Sequence, residues 1–61
     1  MCLSTVIAER NGSSEKLCEY VSKVRVDDST IVFTDVMGAE TAVEGTIRSM
    51  DFVKNIIVIE E

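Results

Sequence analysis

Thr30-Ile31-Val32-Phe33-Thr34-Asp35-Val36-Met37-Gly38 decides the fold of this chain. Its first half is β-branched and aromatic, a composition that suits a pleated, half-buried strand. Neighbouring residues of a strand point to opposite faces, so Ile31 and Phe33 share one face and Val32 takes the other. A second stretch, Ile56-Ile57-Val58-Ile59, is apolar on both faces in the same way. One set can fill a barrel. The other set must be covered, or it forms an exposed apolar patch. A second copy of the chain is the simplest cover, so a two-fold homodimer is expected. The competing reading packs that set under the ends of a bent strand.

Turn signals surround these stretches. They are Asn11-Gly12-Ser13-Ser14, Asp27-Asp28-Ser29, Met37-Gly38 and Lys54-Asn55. Strands are predicted over residues 2–9, 23–26, 30–36 and 56–60. Residues 39–52 are too long for one straight strand in so small a domain. Gly45, near the middle, marks a bend or bulge. Residues 15–22 read two ways. Leu17, Tyr20, Val21 and Val24 carry helical spacing, and Ser13 or Ser14 could cap a helix. The segment runs straight into an alternating strand, however. A short strand at 16–18, one irregular or helical turn and then the strand is the favoured reading. The sum is an all-β small barrel or sandwich of about five to six short strands, one domain over residues 1–61.

With 61 residues the chain has room for one core. A domain of this size buries only about 60% of the surface its unfolded chain exposes, so a metal or a partner subunit is a natural reinforcement. The longest apolar run is Ile56 to Ile59, far short of a membrane span. The start lacks the basic and long apolar regions of a signal peptide. A cytoplasmic location is therefore expected.

Six Lys and Arg against eleven Asp and Glu give a formal charge of −5. The basic residues Arg10, Lys16, Lys23, Arg25, Arg48 and Lys54 are scattered. Phosphate neutralisation by Lys and Arg carries much of nucleic-acid affinity, so this balance argues against nucleic acid and against anionic membranes. It is compatible with cation binding. Histidine is absent, which removes the commonest general base and a common metal ligand. The glycines are isolated, with no phosphate-binding loop. No serine sits in a nucleophile elbow. Enzyme activity is not expected.

Two cysteines remain, Cys2 and Cys18. In a cytoplasmic chain these are free thiols or ligands rather than a disulfide. Cys18 reads as a small buried hydrophobe. Cys2 differs by its position. If Met1 is retained, its terminal amine, the Cys2 amide nitrogen and the Cys2 sulfur can chelate one metal. If Met1 is removed, the amine and thiol of Cys2 form a five-membered ring. Mixed nitrogen and sulfur donors in a nearly planar array suit Ni(II) or Cu(II), whereas all-thiolate tetrahedral sites suit Zn(II). One chain supplies too few donors, and two chain starts would supply two sulfurs and two nitrogens. On the residues alone, this reading and that of an incidental terminal cysteine stand level.

A resemblance shifts the balance. Met-Cys-Leu at the start, Val24-Arg25-Val26-Asp27-Asp28, the stretch from Thr30 to Gly38, Val43-Glu44-Gly45-Thr46-Ile47 and the closing Asn-Ile-Ile-Val-Ile-Glu from Asn55 resemble the CooT family of small nickel-binding proteins. The resemblance covers nearly the whole chain. It implies an Sm-like or SH3-like barrel and a homodimer. It also implies Ni(II) binding through the second-position cysteine, here Cys2, with a client nickel enzyme, carbon monoxide dehydrogenase in the namesake system. Two other functions stay open: an Sm-like RNA-binding module, and an interaction module that takes up no metal.

Overall fold

The computed structural model describes residues 3–61. Six strands follow in chain order: β1 (Ser4–Arg10), β2 (Ser13–Asp27), β3 (Thr30–Asp35), β4 (Glu40–Glu44), β5 (Thr46–Asp51) and β6 (Ile56–Glu60). The all-β class with about six strands is as expected, and the strand at 56–60 has the expected bounds. Among the described residues, no helix is long and apolar enough to cross a membrane.

Local chemistry sets the turns. Asn11 and Gly12 have φ of 51° and 81°. Both values are positive, as a two-residue hairpin matched to strand twist requires. Arg10 accordingly pairs with Ser13. Asp28, with φ 57°, lies in the next tight turn, across which Asp27 pairs with Thr30.

The strands form one sheet in the order β4-β3-β2-β1-β6-β5. All pairs are antiparallel except β1 with β6, which run parallel. β4 and β5 lie at opposite edges, yet only Gly45 separates them in sequence. The sheet must therefore roll until its two edges meet at that residue. The expected bend is here. Gly45 has φ +153°, and a Cβ would lie 2.6 Å from the Glu60 carbonyl oxygen. Only glycine fits so close to another backbone. The expected barrel does not close, however, because no ladder joins β4 to β5. Closure needs strand tilt and stagger to match all round. These two short strands instead diverge from their common corner.

β2 corrects the reading of residues 15–22. The strand is continuous, with no helical turn. Its irregularities are the positive φ of Tyr20, 59°, a register shift against β3 between Val21 and Lys23, and two shifts against β1, between Ser4 and Val6 and between Val6 and Ile7. A bulge inserts one residue and changes the phase of side-chain alternation. Val21 and Val24, three apart, thus both join the core. That phase change is the source of the helix-like spacing. Val21 pairs with both Ser4 of β1 and Asp35 of β3, so the two halves of the sheet join at the irregularity.

The core comprises Val6, Val21, Ile31, Phe33, Val43, Ile57 and Ile59, with Leu17, Cys18, Val24 and Ile47 packed against it. The opposite faces of the apolar strands differ from expectation. Val32 is 9% exposed in the single chain. It sits in a cross-strand row between Arg25 and Ala42. Long basic side chains can lay their aliphatic stems over such a residue. Ile56 and Val58 are half-buried, with Val58 between Ile7 and Ser49. These faces thus need no partner to cover them.

Candidate functional site

The two ends of the sheet differ in chemistry. At one end, where β1 and β6 finish and β5 begins, Arg48 pairs with Glu9 and lies 3.8 Å from Glu60. Arg10 lies 3.9 Å from Glu61. A cavity of about 540 Å³ here is lined by residues of both signs, including Arg10, Glu15 and Glu61. Such exposed pairs contribute little individually.

The other end is where the chain enters β1. Ser4 pairs with Val21, and the Thr5 amide donates to the Asn55 carbonyl at 2.8 Å. The Val36 amide donates to the Tyr20 carbonyl at 3.0 Å. The Ser22 hydroxyl donates to the Thr34 carbonyl at 3.2 Å. Two turns at this end are braced alike. One Asp35 carboxylate oxygen accepts from the amides of Met37 and Ala39 at 2.9 and 3.0 Å. One Asp51 oxygen accepts from the amides of Val53 and Lys54 at 3.0 and 2.9 Å. Aspartate commonly stabilises turns by this local bonding.

The braced turns present apolar side chains to solvent. Met37 is 87% exposed, Phe52 74% and Val53 92%, and Tyr20, Val36 and Met50 join them. Of the exposed large hydrophobic residues among those described, only Val26 lies elsewhere. Beside them is a groove of about 360 Å³, lined mainly by Val21, Val24, Met50, Phe52 and Ile57, with Ser4 among its neighbours. Exposed apolar side chains gathered at one end in this way suit an interaction surface. It escaped the sequence reading because its residues are spread over the end of the strand at 30–36, the turn at 37–38, the bent run 39–52 and the irregular part of residues 15–22, which only the fold brings to one end. The available signal was apolar Met37, Phe52 and Val53 beside the turn formers Gly38, Asp51 and Asn55.

Met1 and Cys2, the metal ligands expected from the sequence, lie outside the described residues. Among the described residues, no group of three or more acidic or cysteine side chains is placed to hold a metal. Cys18 is a free, half-buried thiol on β2. Burial pushes its pKa up, and the Asp35 carboxylate adds to the rise. Both effects disfavour the thiolate, the form that binds metal.

A family model described as "CO dehydrogenase accessory protein CooT" matches residues 1–60. The chain belongs to the CooT family. A crystal structure described as a candidate CooT from Carboxydothermus hydrogenoformans superposes with a TM-score of 0.89 at 17% identity. That match covers 98% of this chain and 97% of the other. At such identity the likeness shows a shared fold. No curated protein matches the chain.

Proposed function

We propose that this CooT-family chain is a cytoplasmic nickel carrier that serves maturation of a nickel enzyme of the carbon monoxide dehydrogenase type. It has no catalytic role of its own. The ion is cargo. It is held by the Cys2 thiolate, with the Met1 amine and the Cys2 amide nitrogen as partners if Met1 is retained. Two copies contribute donors at a homodimer interface. The observation that carries this reading is the concentration of exposed apolar side chains at the end of the sheet where the chain enters β1. Burying that end against its own copy removes the patch from water and brings two chain starts into one region.

The chemistry supports the same assignment. Mixed nitrogen and sulfur donors suit Ni(II) in a tetragonal field. No histidine competes for the ion, and the thiol of Cys18 is held towards its neutral form. A site at a chain terminus can exchange its ion with a client, as a carrier requires. The family description adds an enzyme to be served.

Metal content and native mass of the purified protein test the proposal together. The expected result is a dimer that holds nickel and a Cys2→Ser protein that keeps the β-sheet spectrum without it. A folded Cys2→Ser protein that binds nickel in the same ratio contradicts the proposal.

A further inference from the structure

The two edges of the sheet are unequal. β5 carries a register shift between Ile47 and Ser49, and Arg48 at that shift is tied to Glu9. A bulge on an edge strand discourages another chain from pairing with it. β4 has no such device. Its ladder with β3 runs without a shift from Thr30↔Glu44 to Thr34↔Glu40. It contains no proline and no lysine. All of its residues except Val43 are exposed.

The hydrogen-bonding phase of this edge follows from its flanks. The Asp35 amide donates to the Ala39 carbonyl, and the Gly45 amide donates to the Ser29 carbonyl. Both bonds continue the β3–β4 register, so Ile31/Val43 and Phe33/Thr41 are the pairs that exchange bonds across the ladder. The N–H and C=O groups of Glu40, Ala42 and Glu44 then point away from β3. The same three side chains share the outer face, because Val43 on the alternate face lies in the core. Among the described residues, the edge is a row of unpartnered backbone donors and acceptors with a carboxylate at each end. Among the described residues, neither Glu40 nor Glu44 takes part in an ion pair.

We propose that the β4 edge takes an extended basic segment of a partner protein by antiparallel strand addition. The segment carries Lys or Arg at two positions four apart, opposite Glu44 and Glu40. It carries a small or β-branched residue opposite Ala42 and apolar residues facing Thr41 and Val43. Main-chain bonds supply affinity in this binding mode, and alternate side chains supply choice. Charge decides against a second copy at this edge. Two β4 strands paired about Ala42 would set Glu40 opposite Glu44 twice, and like charges directly opposite destabilise a sheet. The proposal rests on this edge alone and is independent of nickel binding.

The test titrates the isotope-labelled full chain with a capped Thr-Lys-Val-Thr-Val-Lys-Thr peptide and with its glutamate counterpart. The expected result is saturable amide shifts with the lysine peptide below roughly 1 mM. Slowed hydrogen exchange should be confined to Glu40, Ala42 and Glu44. The glutamate peptide should bind roughly tenfold more weakly. Glu40→Lys with Glu44→Lys should reverse that preference, and Ala42→Pro should abolish binding by removing an outward N–H. Absence of binding at 1 mM overturns the proposal. So do shifts that map to another surface, self-association through β4, and a preference unmoved by the double charge reversal in a folded protein.

Discussion

Replacing Gly45 with alanine should destabilise the fold by roughly 2–6 kcal/mol, the sum of backbone strain and overpacking at one site. The new Cβ would lie 2.6 Å from the Glu60 carbonyl oxygen and 3.2 Å from Ile59 Cγ2. Neither neighbour can yield easily. Glu60 pairs with Thr46 in the β5–β6 ladder, and Ile59 is wholly buried. The backbone there has φ +153°, which an L side chain rarely adopts. A chain of this length has roughly 3–9 kcal/mol of total stability at the usual 0.05–0.15 kcal/mol per residue. The substitution therefore removes a large share of it. One kcal/mol shifts the melting temperature of a small domain by about 4–8 °C, so a drop of at least about 8 °C is expected. Thermal melts by far-ultraviolet circular dichroism, at one fixed protein concentration, read it directly. Gly38→Ala is the control. Its added Cβ meets nothing within 4 Å, although φ is +90°. It should cost only about 1 kcal/mol of backbone strain. Melting temperatures of the two variants within about 3 °C of each other would refute the close approach at the corner.

Three further outcomes follow. Phe52→Ser with Val53→Ser should convert the proposed dimer to a monomer in sedimentation, because it removes two of the most exposed apolar side chains at the chain-entry end; a dimer mass unchanged by the substitutions places the interface elsewhere. Asp51→Ala should cost about 1 kcal/mol, seen as a lower denaturation midpoint, since both turn amides lose their acceptor; an unaltered midpoint would show that the turn is held by its backbone alone. The Cys18 thiol should alkylate more slowly than a free cysteine at neutral pH, because its pKa is raised by burial and by Asp35. The sign for stability follows from the same direction. The folded state holds the thiol proton more tightly than the unfolded state. This contribution is therefore present below the thiol's ordinary value and is lost as pH rises through the raised one. Cys18→Ala should flatten that alkaline decline, and an identical decline in the variant would exclude Cys18 as its source.

Much of the fold was legible because the strong local signals agree with the global structure. Asn11-Gly12 signals a tight turn, and Gly45 marks the corner of a run too long to stay straight. The β2 bulge was legible only as an irregular segment between the strands at 16–18 and 23–26; its form was not, because Tyr20 is a bulky residue in a conformation it seldom adopts. Tertiary pairing of Val21 with both Ser4 and Asp35 imposes it. The fate of Val32 was equally hidden. Its cover depends on the row Arg25–Val32–Ala42, which only register reveals. For the candidate site, chemistry singled out Cys2, whereas the apolar surface at the chain-entry end emerged only when the Asp35 and Asp51 turns were placed at the start of β1.

Nickel ligation by Cys2 is tested most directly by near-ultraviolet titration with Ni(II) of the native chain, Cys2→Ser and Cys18→Ser. Thiolate-to-nickel charge transfer reports sulfur ligation itself. The native chain and Cys18→Ser should develop the band and saturate at the same nickel ratio, while folded Cys2→Ser stays without it. A band that survives in Cys2→Ser, or one lost in Cys18→Ser alone, would contradict nickel ligation by Cys2.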